Sequence, residues 1–163
     1  MTKKYKDIVG DGGSDVVGQV MAQAERLRSR MAFIRHKVAV MSGKGGVGKS
    51  AITANLAAIL ASQGYRVGVL DADINGPSMA KMLGVRRQSL PPGQSGVSPA
   101  LGPLNIRVVS MDLLLPEDKT PVVWEAPTQQ SGVVWRGTME ASALQEFLAD
   151  TDWGELDFLM VDL

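Results

Sequence analysis

Residues 43 to 50 read Gly43-Lys44-Gly45-Gly46-Val47-Gly48-Lys49-Ser50. They match the pattern G-x-x-x-x-G-K-[ST] at every fixed position and place a second lysine at its first variable one. The residue types answer phosphate chemistry. Glycine admits positive φ and close approach of successive backbone N–H groups to an anion. Lys49 sets a cation against terminal phosphates, Ser50 offers a hydroxyl to Mg2+, and the following helix adds the positive end of its dipole. The pattern implies nucleoside triphosphate binding, with Gly43, Lys44, Gly45, Gly46, Val47, Gly48, Lys49, Ser50 and Ala51 as contact residues.

The surroundings supply the strand, loop and helix that this pattern requires. The apolar run Val38-Ala39-Val40-Met41 precedes the loop. After it, Ile52, Leu56, Ile59 and Leu60 fall on one helical stripe, with Ala54, Ala57, Ala58 and Ala61 permitting close approach to a sheet and Gly64 marking the stop. That stripe is expected to face the core. Arg66 to Asp71 reads as a second buried strand ending in an acid, Ile106 to Val109 as another, and Phe158-Leu159-Met160-Val161-Asp162 as a last one ending in a carboxylate. Met139 to Leu148 has helical periodicity. The breaker-rich stretch from Pro91 to Pro103 is expected to lack regular structure and to run over the surface.

Residues 1–14, with Gly10-Asp11-Gly12-Gly13-Ser14, read as a flexible segment, and residues 15–32 as a helix spaced by Val17, Val20, Ala24, Leu27 and Met31. Residues 33–163 then form a partial nucleotide-binding domain. The fold class expected is α/β, a mostly parallel sheet of about four strands flanked by helices. Because the chain ends one residue past Asp162, the domain is expected to be cut at that strand. His36 reads as a strand-edge surface residue, and the two Val-Val-Trp tripeptides, at 122–124 and 133–135, as packing anchors.

Composition limits the function further. The chain has 163 residues, 45% of them hydrophobic, with 17 basic against 17 acidic side chains and no cysteine. The even charge balance offers no global field for nucleic acid or acidic lipid. No apolar run reaches spanning length, so a cytoplasmic location without membrane contact is the expectation. Without cysteine, these residues hold neither a disulfide nor a thiolate site for zinc or an iron-sulfur cluster.

The loop, together with Asp71-Ala72-Asp73-Ile74-Asn75-Gly76-Pro77-Ser78, Val134-Trp135-Arg136-Gly137 and Trp153-Gly154-Glu155-Leu156-Asp157, resembles the Mrp family of iron-sulfur cluster carrier ATPases, within the wider MinD/ParA-like class. The resemblance runs from about residue 37 to 163. It implies an ATPase using Mg2+ and acting as a homodimer. Lys44 would reach the facing subunit's nucleotide as a cation supplied in trans, by the logic of an arginine finger. It further implies catalytic roles for Lys44, Lys49 and Asp73, metal contacts from Ser50, Asp73 and Asp162, and Asp71 as a residue that fixes the strand end. Asp73 also has the position of a cap for a following helix. Family members carry a [4Fe-4S] cluster on a Cys-x-x-Cys pair toward their C-terminal end and deliver it to apo iron-sulfur proteins.

Two departures from the family pattern stand out. Ala51 replaces a usual hydroxyl residue, which removes a hydrogen bond worth about 1 kcal/mol, and Asn75 replaces a bulkier one. The alternatives are a spatial regulator of the MinD or ParA kind, which lacks the Asp-Ile-x-Gly-Pro-Ser and Trp-Arg-Gly segments, and a nucleotide-binding module without turnover.

Overall fold

A computed structural model describes residues 16–73, 76–93, 95–113 and 132–163, with side chains described from residue 18 in the first helix and from residue 141 in the last. In chain order the elements are α1 (Val16–Ala32), β1 (Ile34–Val40), α2 (Lys49–Ser62), β2 (Val67–Asp71), α3 (Met79–Met82), β3 (Ala100–Leu101), β4 (Arg107–Ser110), α4 (Gly132–Asp150) and β5 (Leu156–Asp162). The expected segment 1–14 and the tripeptide at 122–124 lie outside the described residues, and so do Ile74 and Asn75.

Five strands form one sheet in the order β1-β5-β2-β4-β3. The last strand in sequence is thus inserted between the first two. All pairings are parallel except that of β3 with β4. Helices give the sheet a core on each face. On one, Ala54 and Ala57 of α2, with Met79, Ala80, Leu83 and Val85, cover Val67, Val69, Val108 and Met160. On the other, Ile34, Leu70, Val109, Leu159, Trp153 and Leu156 are buried with Met31 of α1 and Leu144, Phe147 and Leu148 of α4. No described helix is long and apolar enough to cross a membrane.

Four expectations are corrected by the coordinates. First, the α2 stripe faces the core only in part: Leu60 packs against the core beside the expected alanines, Ala54 and Ala57, and Thr53, while Ile52 and Ile59 are 59% and 54% exposed. The helix is apolar around most of its circumference, so periodicity does not choose a face. Alanine does, because a small side chain lets the helix axis come close to the strands. Second, β1 starts at Ile34 rather than Val38, since Ile34 is fully packed against the second core. Third, the stretch 91–103 is tied into the sheet. Ala100–Leu101 pairs with β4, and Val97 bridges both Pro92 and Thr151. Fourth, the sheet has five strands rather than about four, the fifth being that short β3.

His36 stacks on Phe158, with ring centroids 5.0 Å apart. It has a packing partner and no described catalytic one. Trp135 lies within α4.

Ala57 has no exposed surface, so enlarging it forces the helix off the sheet. Ala57→Leu should lower unfolding free energy by about 1–3 kcal/mol, whereas Ile59→Gln on the outer face should change it by no more than about 0.5 kcal/mol. Urea titration of the two variants checks the orientation of α2.

Candidate functional site

The loop between β1 and α2 owes its shape to two glycines. Gly46 has φ 73° and Gly48 has φ 91°, in the left-handed region where a side chain is strained. Gly48 is also the residue from which α2 starts, and its carbonyl accepts the Ile52 N–H at 3.0 Å. Ahead of it the Lys44 N–H donates to Ser42 Oγ at 3.2 Å, and the Ser42 hydroxyl donates to the Lys44 carbonyl at 2.6 Å. A Cβ built on Gly43, Gly45, Gly46 or Gly48 would meet no chain atom within 4 Å. The chain's own packing therefore does not call for glycine at Gly43 or Gly45; a Cβ there would only occupy the open space beside the loop. Val47 and Lys44 are exposed, and Lys49 and Ser50 are half-buried in the first turn of α2. Among the described residues neither lysine has a carboxylate partner; the ion pairs there are made by arginines 26, 30, 66 and 86.

Beneath the loop, parallel pairing sets four residues in one row across four strands. Val40 is opposite Asp162, Asp162 opposite Asp71, and Asp71 opposite Ser110. Both aspartates are buried, and each has one carboxylate oxygen without a hydrogen bond, Oδ1 of Asp71 and Oδ2 of Asp162. The other oxygen of Asp162 lies 3.0 Å from the Thr53 hydroxyl, which is also 3.0 Å from the Lys49 carbonyl. Thr53 thus fastens the first turn of α2, which carries Lys49 and Ser50, to the end of β5. Sequence reading missed Thr53. Its only signal was position, one helical turn after Lys49 on the face that carries Ala57.

Asp73 does not reach this row. Its Oδ1 accepts the Gly76 N–H at 3.0 Å, a local side-chain closure of the turn; the next helix, α3, starts only at Met79 with Ser78 at its N-cap, so Asp73 caps no helix. Among the described residues no three acidic, histidine or cysteine side chains come together, so Asp71, Asp73 and Asp162 are not a carboxylate cluster. Ala51 is exposed and its carbonyl accepts from Asn55 Nδ2 at 2.7 Å.

Burial pushes the Asp71 carboxyl up to about 6; hydrogen bonds from Met79, Ser78 and Ser110 oppose the rise, and the nearby charge of Asp162 adds to it.

A family model described as the NUBPL iron-transfer P-loop NTPase, in the ParA group, matches residues 33–133 and 126–163. The chain belongs to this family. Among relatives of this NTPase, the iron-sulfur cluster carrier protein of Saccharolobus solfataricus is 47% identical over 145 residues, covering 89% of this chain and 45% of that protein. The carrier protein of Methanocaldococcus jannaschii is 45% identical, covering 88% and 46%. The cytosolic Fe-S cluster assembly factor NUBP1 homolog of Brugia malayi is 40% identical, covering 88% and 42%. A solved nucleotide-binding protein from Archaeoglobus fulgidus, in complex with ADP, superposes with a TM-score of 0.68 at 37% identity, covering 84% of this chain and 47% of that one. The chain spans about half the length of the curated relatives it matches.

Between pH 3.8 and about 6 the folded chain keeps a proton on Asp71 that the unfolded chain has released. The stability contributed by this group therefore falls as pH rises through that window and is level above it. Asp71→Asn should flatten that decline, a change of roughly 3 kcal/mol for a two-unit displacement, measured as unfolding free energy at pH 4 and pH 7.

Proposed function

We propose that this chain is the nucleotide-binding part of an iron-sulfur cluster carrier, and that binding and hydrolysis of ATP at the loop from Gly43 to Ala51 govern transfer of the cluster to apo-protein clients. The observation that carries this reading is the pair of left-handed glycines, Gly46 and Gly48, opening α2 in a chain 47% identical to a protein named as such a carrier.

Backbone N–H groups of the loop and the N-terminus of α2 would hold the phosphates. Lys49 would neutralise charge on the terminal oxygens. Phosphoryl transfer depends on positioning and charge compensation more than on covalent help, which the loop and its lysines supply. Ser50 and Asp162 fit a divalent cation: a hydroxyl on the first turn of α2, fastened through Thr53 to a buried carboxylate that keeps one oxygen unpaired. Mg2+ bound there would neutralise charge on the phosphate oxygens. Asp73 would orient the attacking water, exchanging its bond to Gly76 for that role, and could join the cation's outer shell.

Lys44 is exposed. Its proposed partner is the nucleotide of a second copy of this chain, which makes the working form a homodimer. The cluster is cargo in this reading. The chain has no cysteine, so its residues do not fit cluster ligation and no step here passes through the cluster. A cytosolic setting is inferred by analogy with the cytosolic assembly factor of Brugia malayi, without nucleic acid or membrane partners.

Titration with a fluorescent ATP analogue, followed by phosphate release, tests the site. Lys49→Ala should weaken binding by at least about 100-fold, on the order of a lost charge-assisted contact. Lys44→Ala should bind within about threefold of wild type yet lose the dependence of turnover on protein concentration. Wild-type affinity in Lys49→Ala would refute the phosphate site. Asp73→Asn should bind ATP normally and release phosphate about 100-fold more slowly; unchanged release would return Asp73 to a purely structural role.

A further inference from the structure

One buried acid at the strand ends has no part in the chemistry just described. Asp71 is fully buried, and its Oδ2 takes three hydrogen bonds: from the Ser78 N–H at 2.8 Å, the Met79 N–H at 2.9 Å and the Ser110 hydroxyl at 3.0 Å. Ser110 Oγ in turn accepts the Asp112 N–H at 3.3 Å. At the other end of the same segment, the Ala72 N–H donates to the Asp162 carbonyl at 2.9 Å. Ala72 is therefore fastened beside β5 and Ser78 to the end of β2, with Asp73 between the two fastenings in sequence.

A helix cap alone does not call for this arrangement. Ser78 stands at the N-cap of α3, a helix of four residues, and its side chain makes no capping bond. A hydroxyl already in place could serve there at little cost. Instead the amides are held by a carboxylate from a neighbouring strand end, at the expense of burying a charge with one oxygen unpaired. This tether starts from the end of β2, seven and eight residues before the amides it holds, and is braced to β4 through Ser110, so it fixes Ser78 and Met79 to the sheet, which a cap from Ser78 itself would not.

We infer that Asp71, braced by Ser110 on β4, is the positioning residue that ties together the ends of the 72–78 segment and thereby sets where Asp73 stands relative to the phosphate loop. This rests on the proposed role of Asp73 in hydrolysis. Asp71 itself touches neither nucleotide nor water in this assignment.

The test compares Asp71→Ala, Asp71→Asn and Ser110→Ala in this chain, reading kcat for ATP, affinity for the ATP analogue and amide hydrogen exchange at Ser78 and Met79. Asparagine keeps an oxygen for all three donors and replaces the unpaired Oδ1 with an amide. It should recover kcat to within about tenfold of wild type, while Asp71→Ala loses about 100-fold, the scale of a misplacement near 1 Å. Ser110→Ala should lose severalfold. Analogue affinity should stay within about threefold in all of them, because the loop at 43–50 is untouched. A kcat loss as deep in Asp71→Asn as in Asp71→Ala would overturn the inference in favour of direct action by the carboxylate, and so would wild-type kcat in Asp71→Ala. A joint fall of melting temperature and affinity with kcat unchanged would reduce Asp71 to a structural part and overturn it too. If wild type binds ATP without turning it over, the hydrolysis reading fails separately. The tether is then judged by exchange: faster exchange at Ser78 and Met79 in Asp71→Ala alone sustains it, and equal exchange in all variants overturns it.

Discussion

The register of β5 between β1 and β2 is the constraint on which the rest depends. Strand period is two, so a fixed register decides which side chains share a face and which share a row. Here it aligns the last residues of four strands, Val40, Asp162, Asp71 and Ser110, on the side covered by α2. Everything polar at that end then follows. Thr53 meets Asp162, Ser110 meets Asp71, and the phosphate loop leaves β1 directly beside them. Open parallel sheets bind ligands beyond the carboxyl ends of their strands, and this row lies at that end of the sheet.

What could be read from the chain alone was what is local. The loop is a run of consecutive residues whose types answer one charge, and Gly46 and Gly48 take the backbone conformation that glycine permits. Four strands were visible as apolar runs, two of them, at Asp71 and Asp162, ending in an acid. The order β1-β5-β2 was not legible, because nothing in a strand's own composition names its neighbour. The face of α2 was only partly legible for a related reason: the alanines and Leu60 meet the core as expected, and Ile52 and Ile59 do not. Isoleucine and leucine outrank alanine in hydrophobicity, yet a helix apolar nearly all round chooses by size, and Ala54 and Ala57 take the sheet while Ile52 and Ile59 stay outside. Thr53 was invisible because its partner is 109 positions away. The stretch from Pro91 to Pro103 was read by its breakers; its ties to Thr151 and β4 are long-range.

The two aspartates of the row illustrate how burial and function meet. A carboxylate removed from water is costly unless its lone pairs are used, and here each keeps one oxygen unused. Asp71 is compensated by two backbone amides and a hydroxyl. Asp162 has only Thr53 among the described side chains. The unequal compensation suits the unequal duties proposed above, a tether for Asp71 and a cation contact for Asp162.

The segment Trp153 to Asp157, one of the marks by which the chain resembles its family, serves the opposite end of the sheet. Trp153 is buried in the second core with its ring against the bare backbone of Gly68, the Arg107 guanidinium donates to its carbonyl, and Glu155 and Asp157 pair with Arg66. This is scaffolding at the start of β5, at the end of the sheet opposite the row of Asp71 and Asp162. A search keyed to that segment would therefore retrieve the scaffold even from a homologue whose glycine loop had decayed, and kinship and enzymatic competence need separate signatures.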